Sequence, residues 1–237
     1  MSEMIRRFLR QKFGSVAVVI ALCVLVLLSV MPLLASGGQT GTGASAVVLF
    51  VLAAASISKD STSGALQMIL ARPITRSAYL FGRYLGVLAA YAVFLAAVLV
   101  LALALASVSG ASGGPRVNLG SAGIALLGEF LEGMLIVAIL VFFSTFLPGY
   151  ADLLGYFLFV LLLQVPQALS PMLKWPWLMR FGQIASENLH PTVAWGEVLR
   201  GQDALRAATG RYVLAVTGFL LLASVVFARR EFAYGQD

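Results

Sequence analysis

Long apolar runs without a charged residue constrain this chain more than anything else in it. Residues 16–35 are twenty in a row with no Asp, Glu, Lys or Arg, and about twenty such residues cross roughly 30 Å of hydrocarbon as a helix. Further apolar runs follow at 44–57, 84–108, 130–147, 153–169 and 212–228, of which 130–147 alone carries a charge, Glu132. A helix satisfies its own backbone hydrogen bonds, so it is the element such runs form in lipid. Composition agrees, with 60% hydrophobic and 11% charged residues against about 25% charged in soluble domains. The expected fold is an all-α membrane protein with six transmembrane helices in one domain over 1–237. The second run is short at 14 residues and reaches spanning length only if it extends back through the uncharged 37–43.

Charge placement orients the spans. The net charge is +6, but ten basic residues (Arg6, Arg7, Arg10, Lys12, Lys59, Arg72, Arg76, Arg83, Arg229 and Arg230) fall on one side of a six-span layout, as the positive-inside rule expects. They form no patch with interleaved aromatics, which excludes nucleic acid as a partner. Both termini are expected in the cytoplasm of a multi-pass protein of the cell's inner (plasma) membrane. In 1–14, Met4, Ile5, Phe8 and Leu9 oppose Arg6, Arg7 and Arg10, the pattern of an amphipathic interfacial helix. The run 16–35 exceeds the apolar core of a signal peptide and reads as a retained first span. The polar stretch 170–211 falls outside and holds Trp175, Trp177 and Trp195, expected at headgroup level.

Several chemistries lack their residues. No lysine follows a glycine, so there is no phosphate loop of the Gly-Lys-Ser/Thr kind. One histidine, His190, excludes an HExxH zinc site. Gly110-Ala-Ser112-Gly-Gly114 matches the spelling of a nucleophile elbow, but it follows an apolar helix rather than a strand. An intramembrane hydrolase therefore lacks support. No catalytic residue, metal ligand or cofactor site is expected in this chain. Glu129 and Glu132, three apart on one helix face, are expected near the outer end of the fourth span. There they either face water or pair with an outer arginine, or they line a translocation path. Asp152 is expected as a solvated helix N-cap.

The polar interruption at 57–76 carries the specific signal. Leu66, Ile69 and Leu70 recur at helical spacing, and Pro73 ends that helix before Arg76. The order Asp60, Gly64, Leu66, Leu70, Pro73, Ile74, Arg76 and then Gly82-Arg83 resembles the cytoplasmic coupling segment of ABC-2-type transporter permeases, departing from it at Thr62, Ala65 and Gln67. The resemblance implies a coupling helix at 57–77 between spans two and three, with Asp60, Gly64, Leu66, Ile69, Leu70, Pro73 and Arg76 meeting the partner. It also implies short re-entrant helices between spans five and six, where Leu189-His190-Pro191 is similar to an Asn-Pro turn of those permeases. The implied partners are two cytoplasmic ABC ATPase subunits that use ATP and Mg, a second permease copy or related permease, and the lipid bilayer. The implied activity is ATP-driven export without covalent chemistry in this chain. The alternative is mechanotransmission that supports a periplasmic partner or metalloenzyme maturation without transport.

Overall fold

The computed structural model describes residues 16–39, 41–42, 45–53, 75–110, 117–147, 150–173, 175–199 and 206–229. The expected interfacial helix at 1–14 and the coupling residues Asp60, Gly64, Leu66, Ile69, Leu70 and Pro73 lie outside them. The described residues form helices and no strands: α1 (Val16–Ala35), α2 (Ser45–Ala53), α3 (Arg76–Gly110), α4 (Leu119–Ser144), α5 (Ala151–Leu173), α6 (Pro176–Leu189), α7 (Trp195–Val198) and α8 (Arg206–Arg229). Five of these, α1, α3, α4, α5 and α8, are long and apolar enough to cross a membrane. The expected second span is represented by α2, whose nine described residues are too few to cross alone.

Several boundaries differ from the sequence expectation for local reasons. Helix α3 runs 35 residues from Arg76 rather than from 84, because Thr75 supplies a start: its hydroxyl accepts from Ala78 N at 3.3 Å. At about 1.5 Å per residue α3 is roughly 52 Å long, so it tilts or projects beyond the hydrocarbon. Helix α4 starts at Leu119, well before 130, because Asn118 caps it by accepting from Gly120 N and Ser121 N. Helix α1 ends in a Schellman turn. Gly37 and Gly38 have φ of 62° and 86°, Gly38 N donates to Leu33 O, and Gly37 N donates to Leu34 O. Gly38 lies so close to Ala122 that a Cβ there would sit 3.0 Å from the alanine Cβ, and Asn118 N donates to Gly37 O. The end of α1 and the start of α4 are thereby joined.

Helix α4 is the central element. It packs against α2, α3, α5, α7 and α8, and its run from Leu135 to Val141 is buried throughout. Tyr91 of α3 stacks on Phe130 of α4, and Phe142 of α4 meets Phe219 of α8. The outward apolar faces, such as Leu154, Phe157, Leu158, Leu161 and Leu162 on α5, suit hydrocarbon rather than water. Helix α6 doubles back along α5: Gln167 Nε2 donates to Gly182 O at 3.1 Å and to Ser186 Oγ at 3.0 Å. Trp175 and Trp177 are exposed and stacked on each other. Trp195 departs from the headgroup expectation, since it is buried edge-on against Tyr212 and over Gly128.

Candidate functional site

The two acids of α4 do not lie near its end, as expected, but in its interior. With the helix running from Leu119 to Ser144, Glu132 occupies its midpoint. They also diverge. Glu129 turns toward the residues leading into α2, where Thr42 N donates to Oε1 at 2.5 Å and Thr42 Oγ1 donates to Oε2 at 2.8 Å. Thr42 is buried. A Cβ on Gly41 would fall 2.1 Å from Glu129 Oε1, so the glycine leaves room for the carboxylate. Three residues before Ser45, the first residue of α2, this places a negative charge beside a helix N-terminus, where the dipole favours it. Among the described residues Glu129 meets Thr42, just before α2.

Glu132 faces the opposite group. It is exposed, and its charge acts on Tyr156 of α5, on His190 after α6 and on Tyr212 of α8. A carboxylate at the middle of a spanning helix costs roughly 2.5–3.5 kcal/mol on insertion scales, and such residues face a cavity or a partner. Two of these groups, Tyr156 and His190, also meet each other. Tyr156 OH lies 3.5 Å from His190 Nε2, and Tyr212 OH donates to Leu131 O. His190 terminates α6, its N–H donating to Ser186 O. Its pKa is lowered by burial, against which a hydrogen bond to its own backbone and the charge of Glu132 act in the raising direction.

Tyr156 and His190 also line a cleft of about 640 Å³ between α5 and α6. Its remaining walls are Gln164, Gln167, Ser186 and Thr192, with Val160, Leu163 and Ala168 on the apolar side. This volume lies within the roughly 300–1,000 Å³ typical of small-molecule sites. Beside it, Arg211 of α8 pairs with Glu187 of α6 at 2.5 Å. Among the described residues no group of His, Cys, Asp and Glu has a metal-holding arrangement.

At the far end of the bundle, Arg76 begins α3 and its guanidinium donates to Ala228 O in the last turn of α8 at 2.7 Å. Tyr79 stacks on Phe227 nearby. Arg83, counted among the basic residues of the cytoplasmic side, is buried: Nε donates to the Tyr79 hydroxyl, and the guanidinium sits 5.5 Å from the ring centre. Asp152 is likewise buried rather than solvated. It lies inside the first turn of α5 and accepts from Leu153 N.

Sequence reasoning passed over Tyr156, Tyr212 and the glutamines, and took His190 only as part of a turn. Gln164 and Gln167, at i and i+3 in an otherwise apolar run, were a readable sign of a polar stripe on α5. The contact between Tyr156 and His190 had no comparable sign.

The chain matches the family of ABC-2 family transporter proteins over residues 39–231. It belongs to that family and is a multi-pass permease subunit of an ABC transporter, a class that associates with ATPase subunits at the membrane. No curated protein matches the chain.

Proposed function

We propose that this permease exports its substrate, driven by two cytoplasmic ABC ATPase subunits that hydrolyse ATP with Mg. A second copy of the chain, or a related permease, completes the transporter in the inner membrane, with both termini cytoplasmic. The segment 57–77 is the coupling element, with Asp60, Gly64, Leu66, Ile69, Leu70, Pro73 and Arg76 meeting the ATPase. The stretch 170–211 faces outward, with α6 and α7 as its re-entrant helices. Glu132 lies on the translocation path, and Glu129 holds the start of α2 beside it.

One mechanical observation carries this reading. The coupling segment leads directly into α3, and the first residue of α3 is bonded to the last turn of α8 through Arg76 and Ala228 O, with Tyr79 stacked on Phe227 behind it. A push delivered at 60–71 therefore reaches two spanning helices together, and α4 packs against both. Closure of the ATPase subunits around ATP is thereby converted into tilt of the bundle.

Replacing Leu66 and Leu70 with Asp tests it. Docking that buries about 300 Å² of apolar surface contributes on the order of 7 kcal/mol before the costs of association. The expected result is loss of the ATPase from a tagged permease that still inserts. Full retention with normal hydrolysis would reduce 57–77 to a membrane-surface connector.

A further inference from the structure

We infer that the cleft between α5 and α6 is a binding site for an uncharged amphiphile whose head carries a hydroxyl or an amide. The inference deepens the export reading by naming a substrate class and rests on that reading for its purpose, although binding itself does not depend on transport. It stands on groups that line the cleft. Gln164 and Gln167 are the two amide side chains of the apolar run 153–169, and at i and i+3 they share one face of α5. Gln164 is exposed on the cleft and makes no hydrogen bond to any described residue, although it lies inside a helix able to cross a membrane. An amide left unpaired among hydrocarbon is costly, and its own chemistry calls for a partner that donates and accepts hydrogen bonds. Thr192, on the segment after α6, adds a cleft hydroxyl that likewise bonds to no described residue.

The walls also settle the charge of the ligand. Among the described walls there is no Asp, Glu, Lys or Arg. The imidazole of His190 is held toward its neutral form by burial, and its Nε2 faces the Tyr156 hydroxyl at 3.5 Å. A smaller cavity of about 130 Å³ shares Ser186, His190 and Thr192 as walls and does hold charges, Glu187 and Arg211, but these two pair with each other at 2.5 Å. A charged head would therefore enter the cleft without a counter-charge on its walls, whereas a hydroxyl or amide head meets Gln164 and Thr192. Val160, Leu163 and Ala168 form an apolar side for a hydrocarbon body. Gln167 positions the walls rather than binding: its amide nitrogen is committed to Gly182 O and Ser186 Oγ, which holds α6 against α5. A few placed polar groups on a mainly apolar cleft of about 640 Å³ are the make-up of a small-molecule site.

The test uses the intact permease with its ATPase subunits in nanodiscs, with partition into empty nanodiscs subtracted. Four fluorescent probes share one alkyl chain and differ in the head: a diol, the same diol with both hydroxyls methylated, a trimethylammonium and a sulfonate. The diol should bind saturably and more tightly than the other three. Gln164→Leu and Thr192→Val should each weaken diol binding about 3- to 10-fold, the range of a lost neutral hydrogen bond, and leave the methylated probe unchanged. Gln183→Leu, which removes an exposed amide of α6 outside the cleft, should leave diol binding at the wild-type level. Ala168→Phe, which fills the apolar side without touching a polar wall, should abolish saturable binding and keeps the test open if a polar variant fails to assemble. Equal binding of the diol and its methylated form overturns the inference. So does tighter binding of either charged probe, or wild-type diol affinity in both Gln164→Leu and Thr192→Val or in Ala168→Phe. ATP hydrolysis is read in the same samples. Diol-selective binding with hydrolysis indifferent to the probe supports the site and overturns export as its purpose.

Discussion

The contact between Glu129 and Thr42 makes the sharpest quantitative test of how this bundle is held together. Both donors of Thr42, its N–H and its hydroxyl, go to one carboxylate, and Thr42 is buried. Hydrogen bonds to a charged group contribute about 1.5–3 kcal/mol each. Thr42→Val keeps the shape and the N–H bond, so it should cost about 1.5–3 kcal/mol. Glu129→Ala leaves two donors without this acceptor and should cost about 3–5 kcal/mol, the range for removing one partner of a buried charged contact. Glu129→Gln retains an acceptor oxygen but not the charge, and should fall between wild type and Ala. In the double variant the hydroxyl bond is counted once, so the two losses should fall short of additivity by about 1–3 kcal/mol. The assay is reversible unfolding of the purified permease in mixed micelles, with the four proteins forming the cycle. Additive losses, or a cost for Glu129→Ala below about 0.5 kcal/mol, would refute the argument that this carboxylate holds the start of α2.

Other perturbations follow from single contacts. Gly133→Ala would put a Cβ 2.7 Å from the Tyr91 ring and 3.1 Å from Leu49, both fully buried; overpacking of about 1–3 kcal/mol should exceed the helix-propensity gain of up to about 1 kcal/mol, lowering the melting temperature. Arg76→Ala should cost only about 0.3–1 kcal/mol of stability, yet it should reduce ATP hydrolysis coupling measurably, because it separates the ends of α3 and α8. Since burial lowers the His190 pKa, the unfolded chain binds its proton more tightly than the folded one. Stability from this group is complete above the ordinary imidazole range and is lost as pH falls through it, and His190→Gln should flatten that part of the unfolding profile. Tyr84→Phe and Tyr212→Phe should each cost about 0.5–1.5 kcal/mol in the same unfolding assay, with hydrolysis coupling falling further in the double variant.

The spanning helices were legible because lipid removes alternatives: a long uncharged run has few ways to bury its backbone other than a helix. Their ends were less legible. The start of α4 depended on Asn118 as a cap, and the interval 119–129 is mixed enough to read as loop. That error moved Glu129 and Glu132 from the interior of the helix to its edge, and with them the choice between water-facing and site residues. Arg83 and Asp152 were misjudged for a related reason. Charged residues near span ends usually face water, and only tertiary packing shows that Tyr79 covers one and the first turn of α5 holds the other. The pairing of Tyr156 with His190 depends on α6 reversing along α5, which is fixed by Gln167 meeting Gly182 and Ser186 rather than by any local pattern.

The turn of α4 that carries Glu132 is gripped on both sides by tyrosines. Tyr84 of α3 donates to Met134 O, and Tyr212 of α8 donates to Leu131 O. Those two carbonyls bracket Glu132, and the helices that hold them are the pair tied together by Arg76 and Ala228 O. A displacement that tilts α3 and α8 as a unit would therefore carry the Glu132 turn with it. The cleft wall belongs to a different set, α5 with α6, joined through Gln167. Relative movement between the two sets would change the surroundings of the Glu132 turn.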